Sequence, residues 1–86
     1  MPRISEFYGI VIAMFYDDHS PPHFHVYYGE YMAFLTIEPI EVLRGWLPRR
    51  AQSLVYEWAA IHQRELADNW RRARAKEALA SIEPLE

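Results

Sequence analysis

The densest run of reactive side chains is Asp17-Asp18-His19-Ser20-Pro21-Pro22-His23-Phe24-His25. His23 and His25 stand two residues apart. On an extended strand successive side chains alternate, so both imidazoles leave one face and can converge on one ion. Imidazole is the commonest metal ligand, and Asp17, Asp18 and Glu30 offer carboxylate oxygens beside it. The metal reading takes His23, His25 and Asp18 as ligands of a divalent transition metal. A metal-free reading is the second option. His23, His25 and Tyr27 could cleave RNA, one group taking the 2′-OH proton and another protonating the leaving oxygen. Phosphate charge would then need a cation, with Arg49 as first candidate beside Arg44 and Arg50. Plainer roles compete with both. A histidine in a turn caps a carbonyl, His25 packs on neighbouring rings, and the arginines read as solvated helix-start residues.

These side chains need strands to hold them. Gly9–Tyr16 is rich in β-branched and aromatic residues and has no helical period. It ends at the Asp17–Pro22 loop, where paired prolines stiffen the approach to His23. His23–Tyr28 alternates, Gly29-Glu30 has the glycine-first form of a type II′ turn, and Tyr31–Glu38 follows. A further short strand spans about Glu41–Trp46. Pairing Tyr28 with Tyr31 sets Val26 opposite Ala33 and Phe24 opposite Leu35. One face then carries Phe24, Val26, Tyr28, Tyr31, Ala33, Leu35 and Ile37, the expected core. The other carries His23, His25, Tyr27, Met32, Phe34 and Thr36.

The second half reads as helix. Pro48 suits a first helical position. Ala51, Leu54, Val55, Trp58, Ile61, His62, Leu66, Asn69 and Ala73 recur at three- and four-residue steps as one amphipathic stripe. The expectation is an α+β domain over 1–86. An antiparallel sheet of three to four strands (about 9–46) packs on one long C-terminal helix (about 48–78), with a break at Asp68-Asn69 as an option. Leu79, Ile82 and Leu85 could dock a non-helical tail. His62 is expected as a core histidine bonded to a backbone group. Trp46, Trp58 and Trp70 are expected to anchor packing. Trp70–Lys76 reads as a helix face laced with ion pairs, with phosphate or an acidic partner as the alternative.

Composition sets the limits. Eighty-six residues make one domain. The absence of cysteine excludes disulfide scaffolds, CxxC redox sites and cysteine zinc fingers. The net charge of −3 argues against bulk nucleic-acid binding. No apolar run approaches a membrane span and the first residues lack a signal-peptide core, so a cytoplasmic location is expected. Nine of the thirteen aromatic rings lie in residues 1–43, with six acids and a single base, whereas residues 44–86 hold eight bases and six acids. One helix covers only one sheet face. The bare face, with Met32, Phe34 and Tyr27, is more apolar surface than a monomer usually exposes, which points to a second copy, a small protein partner or a ligand.

His23-x-His25 followed by Glu30 imitates part of a cupin metal motif, but Asp17 stands where a glycine should be and the strands are too few. A different resemblance spans almost the whole chain. Ile4-Ser5-x-Phe7-Tyr8-Gly9-Ile10, Asp18-His19-x-Pro21-Pro22-His23-Phe24-His25, Tyr28-Gly29-Glu30, Leu54-Val55-x-Glu57-Trp58, His62, Glu65-Leu66, Asn69-Trp70, Ala73 and Ile82-Glu83-Pro84-Leu85 resemble a small bacterial family known as domain-of-unknown-function family 4160. Pro39-Ile40 and Lys76-Glu77 stand where the family more often has a glycine. The resemblance implies one half of a toxin–antitoxin-like gene pair and supplies no catalytic residue. Its signature falls on His19, Pro21, Pro22, His23, His25, Tyr28, Gly29 and Glu30. The binding candidates are accordingly His19, Pro21, Pro22, Glu30, Phe34 and Met32. The leading expectation is a protein-interaction module, homo-oligomeric or paired with a small protein. The alternative is a His-dependent ribonuclease-like toxin or a small metal-binding protein, with RNA as a possible partner and no membrane contact.

Overall fold

Turns that demand positive φ divide the first half of the chain into paired strands. The computed structural model describes residues 2–86. β1 (Arg3–Phe7) and β2 (Ile10–Ala13) meet at Tyr8-Gly9, where both residues have positive φ, 50° and 77°. That is the pattern of a type I′ turn, with tyrosine where asparagine is usual. β3 (His23–Tyr28) and β4 (Tyr31–Thr36) meet at Gly29-Glu30, where only Gly29 is positive, at 57°. A glycine-first two-residue turn predicts that arrangement. β5 (Glu41–Trp46) completes an antiparallel sheet of order β1-β2-β3-β4-β5.

The expected register of the central hairpin holds: Tyr28 pairs with Tyr31, Val26 with Ala33 and Phe24 with Leu35. The strand count does not hold, because the sheet has five strands rather than three or four. β1 begins at Arg3, ahead of the expected start near residue 9, and Gly9–Tyr16 contains only the four residues of β2. Tyr8-Gly9 was the hidden turn. A tyrosine at positive φ gives no turn signal in sequence, so the strand ahead of it goes unread and the first expected strand starts at Gly9.

The single helix is also corrected. α1 (Arg49–Ile61) and α2 (Gln63–Arg74) are separated at His62, whose φ of −111° and ψ of 25° leave the helical region. The break falls at His62, not at Asp68-Asn69. Contacts with other parts of the fold bracket it: Gln63 Nε2 donates to the Ile37 carbonyl at 2.6 Å, and Trp58 Nε1 donates to the Glu83 carbonyl at 2.8 Å. Local periodicity runs straight through His62, so the apolar stripe gives no sign of the break. Pro48 caps α1 from just outside, its carbonyl accepting the Gln52 N–H at 2.9 Å. α2 ends in a Schellman motif: Glu77 N–H reaches the Arg72 carbonyl and Lys76 N–H the Ala73 carbonyl. The left-handed position that glycine favours is filled by Lys76, at φ 61°.

The core lies between one sheet face and the helices. It joins Ile4, Phe7, Ile10, Ile12, Phe24, Val26, Ala33, Leu35 and Ile37 of the sheet side to Ala51, Val55, Trp58, Ala59 and Leu66 of the helices. Burying a side chain such as Phe24 contributes about 1.5–3 kcal/mol. The tail docks as expected. Ile82 is buried and its N–H meets the Ile4 carbonyl at 2.7 Å, while Leu79 and Leu85 pack on the core. Asn69, buried in the α2 stripe, holds the Ala80 backbone at both ends, with Oδ1 accepting its N–H and Nδ2 donating to its carbonyl, each at 2.8 Å.

Candidate functional site

β3 sends His23 and His25 to the sheet face away from the core, as alternation requires. That face is not bare at this end. Both histidines are 7% exposed. Phe15 meets the His25 ring edge-on at 4.6 Å, Phe34 lies 4.2 Å from it, and Trp70 of α2 reaches His23 at 5.4 Å. The expectation that the helical half covers only the core face is therefore corrected. The end of α2 wraps onto the His end of the opposite face.

The 17–22 loop closes over the pair from outside. Asp18 Oδ2 lies 2.8 Å from His25 Nε2 and 3.3 Å from His23 Nε2. His23 Nδ1 is 2.8 Å from the Pro21 carbonyl. A carbonyl only accepts, so Nδ1 carries the proton and Nε2 of neutral His23 presents its lone pair to Asp18. His25 Nε2–H donates to the same Asp18 oxygen, and its Nδ1 is buried without a partner. Asp18, His23 and His25 form the set among the described residues whose ligand atoms lie within 4.8 Å of one another. The plainer roles expected from sequence are present as well, since His23 caps a carbonyl and His25 packs on rings.

Two side chains of the basic segment clamp this loop. Lys76 Nζ is 2.7 Å from Asp17 Oδ1, and Arg74 Nη1 donates to the Asp18 carbonyl at 3.5 Å. Bonding to the Lys76 ammonium holds the Asp17 carboxyl below its usual range. The remaining charges are ion pairs along the helix, as expected: Asp68 with Arg71 and Arg72, and Arg71 with Glu77. Hydrogen bonds from Arg72 and then Arg71 lower the Asp68 carboxyl, and Asp68 in turn raises Arg72. No local pattern signals that Arg74 and Lys76, 56 to 59 residues further on, hold the His loop.

Other candidates divide by place. Tyr27 is half-buried, its ring stacked 6.4 Å from His25. His19 is exposed and rims a groove of ≈ 300 Å³ with Tyr16, Asp17, Asp18, Arg74 and Lys76. Pro21 and Pro22 line a second groove, of ≈ 370 Å³, with Trp70, Ala67, Ile37 and the acids Glu38 and Glu41. Glu30 sits in the turn at the far end of β3, five residues from His25, or roughly 17 Å at the strand rise. It does not join the cluster. Arg49 lines a groove with Trp46, Leu47, Gln52, Ser53 and Tyr56, none of which belongs to the His cluster. Arg44 pairs with Phe34, one strand beyond His25, and is exposed. His62 is half-buried and bonds the Glu65 carboxylate rather than a backbone group.

The far end of the same face is open. Val11, Tyr27 and Met32 form a row across β2, β3 and β4 by register, and Trp46 pairs with Met32 on β5 but sets its ring against Tyr31 at 5.2 Å and lines the groove beside α1. Met32 is 44% and Trp46 60% exposed, and Tyr27 is half-buried. Trp46 is thus no packing anchor, whereas Trp58 is fully buried.

A family model, described as a domain of unknown function (DUF4160), matches residues 9–71, which include the His loop, β2 to β5 and α1. The chain belongs to the DUF4160 family. No curated protein and no solved structure matches it. The DUF4160 match stops short of the tail that β1 and α2 hold in place. Among the described residues, no helix is long and apolar enough to cross a membrane.

Proposed function

We propose that this chain is a bacterial, cytoplasmic protein-interaction module, one member of a toxin–antitoxin-like pair. The observation that supports it is the exposed apolar margin at the edge strand β5, where Met32 is open on the His-side face and Trp46, its ring against Tyr31, is open beside the start of α1. Leu43, on the same edge strand, is 50% exposed. An edge strand offers a line of free backbone donors and acceptors to another chain. Methionine and aromatic residues beside such an edge are what protein interfaces use. The pairing with a second small protein rests on the family resemblance; the patch itself fits a second copy equally well, and the module then acts as a homodimer.

The test is the solution mass of the purified chain by light scattering, alone and after co-expression with a partner, for wild type and Trp46→Asp. A complex, homomeric or heteromeric, that is lost in Trp46→Asp supports the reading. A strictly monomeric chain that captures no partner overturns it. Trp46 is largely exposed and outside the core, so the variant is expected to fold.

A further inference from the structure

We infer that Asp18, His23 and His25 form a binding site for a transition-metal dication, Zn2+ above all, independent of the docking surface just described. The argument starts from a conflict of lone pairs. One oxygen, Asp18 Oδ2, faces two ring nitrogens at 2.8 and 3.3 Å. The Pro21 carbonyl fixes the His23 proton on Nδ1, so neutral His23 turns a lone pair toward that oxygen. Two lone pairs face each other beside the rings of Phe15, Phe34 and Trp70, with both histidines 7% exposed. Something positive belongs between them, either an extra proton or a cation.

The two separations from Asp18 are near those a cation needs, and all three ligand atoms lie within 4.8 Å of one another. Ligand bonds of about 2.0–2.2 Å set tetrahedral neighbours about 3.3–3.5 Å apart. The His23–Asp18 separation is already 3.3 Å, and the His25–Asp18 separation of 2.8 Å needs to open by about half an ångström. The outer contact of His23 is also the one that metal-bound imidazoles use, since the ring nitrogen opposite the metal donates to a backbone carbonyl. Two imidazoles and one carboxylate are a donor set that Zn2+ accepts, and Zn2+ imposes no geometry of its own. Three protein ligands leave a fourth position. Asp18 lines the solvent groove rimmed by His19, Arg74 and Lys76, so that position is open to water or to a small anion.

The experiment uses the full chain, purified without a His tag and stripped of metal. Calorimetric titration with Zn2+ and the visible absorption of added Co2+ are the readouts. The expected result is one ion per chain and a tetrahedral Co2+ spectrum. His23→Ala and His25→Ala are each expected to weaken binding by more than about 100-fold, because even an outer-shell partner is worth about 10–100-fold. Asp18→Asn keeps the side-chain shape and removes the charge, and is expected to weaken binding too. His62→Ala, outside the cluster, is expected to leave it unchanged. If either alanine variant fails to fold, Asp18→Asn and the wild-type Co2+ spectrum decide. The inference is overturned if wild type binds neither ion, which would mean a shared proton fills the gap. It is also overturned if binding persists unchanged in Asp18→Asn.

Discussion

At the scale of single residues, two positions carry more than their types suggest. Asn69 looks like a polar interruption of an apolar stripe, yet it acts as a bracket for Ala80, satisfying a backbone N–H and a carbonyl at once. Its removal would leave both groups without partners in a part-buried setting, at a cost of about 1–3 kcal/mol. Asn69→Ala is expected to lower the unfolding free energy by that amount, read as a lower urea midpoint at unchanged slope; a loss below a few tenths of a kcal/mol would show that water replaces the bracket. Gly45 is the other position. It sits at φ 87°, and a β-carbon there would run into the Met32 backbone across the β4–β5 ladder. Gly45→Ala is expected to cost about 1–3 kcal/mol and to loosen β5, read as faster amide exchange confined to residues 41–46. Uniform exchange across the sheet would contradict it.

At the scale of elements, the end of α2 and the His loop depend on each other. Lys76 occupies a left-handed position at which a side chain costs roughly 1 kcal/mol relative to glycine. The same residue sends its ammonium to Asp17. Lys76→Gly is therefore expected to act in two directions. The Schellman cap relaxes and α2 gains stability, while the 17–22 loop loses its clamp and exchanges its amides faster. A variant in which both readouts move the same way would break this account. The pH dependence follows from the lowered carboxyls. Asp17 and Asp68 have folded values below the ordinary 3.8 because of Lys76 and of Arg72 with Arg71. A depressed carboxyl adds stability above its unfolded value and loses it as pH falls through the folded one. Both groups are exposed, so the effect is small and screened by salt. The expected result is a modest loss of stability below about pH 4, reduced in Asp68→Asn, by urea unfolding at low and neutral pH.

At the scale of the whole molecule, the two halves of one sheet face have different fates. The His end is covered by the 17–22 loop, Phe15 and Trp70, and the Met32–Trp46 end is open. A small domain can leave that end exposed only because its core is closed elsewhere, partly by the tail. Ile82 is the tail's anchor, 4% exposed and bonded through its N–H to Ile4. Ile82→Ala is expected to cost about 2–5 kcal/mol, enough to threaten a domain of this size. A thermal midpoint within a degree or two of wild type would place the closure of the core elsewhere.

The sequence alone determined the α+β class, the β3–β4 register, the two-faced pattern of that hairpin and the convergence of His23 with His25. Each follows from short-range rules: alternation along a strand, a glycine-first turn and an apolar stripe at helical steps. It also offered three eligible carboxylates, Asp17, Asp18 and Glu30, and took Asp18 with the two histidines. Only the tertiary structure decided the rest. A tyrosine at positive φ concealed β1, contacts from Ile37 and Glu83 accompany the kink at His62, and Lys76 engaged Asp17 and left Asp18 to the histidines. The contacts around His62 and the Lys76 clamp bring together groups from 25 to 59 residues apart. Local pattern carries no record of such distances, because the contacts exist only once the chain has closed.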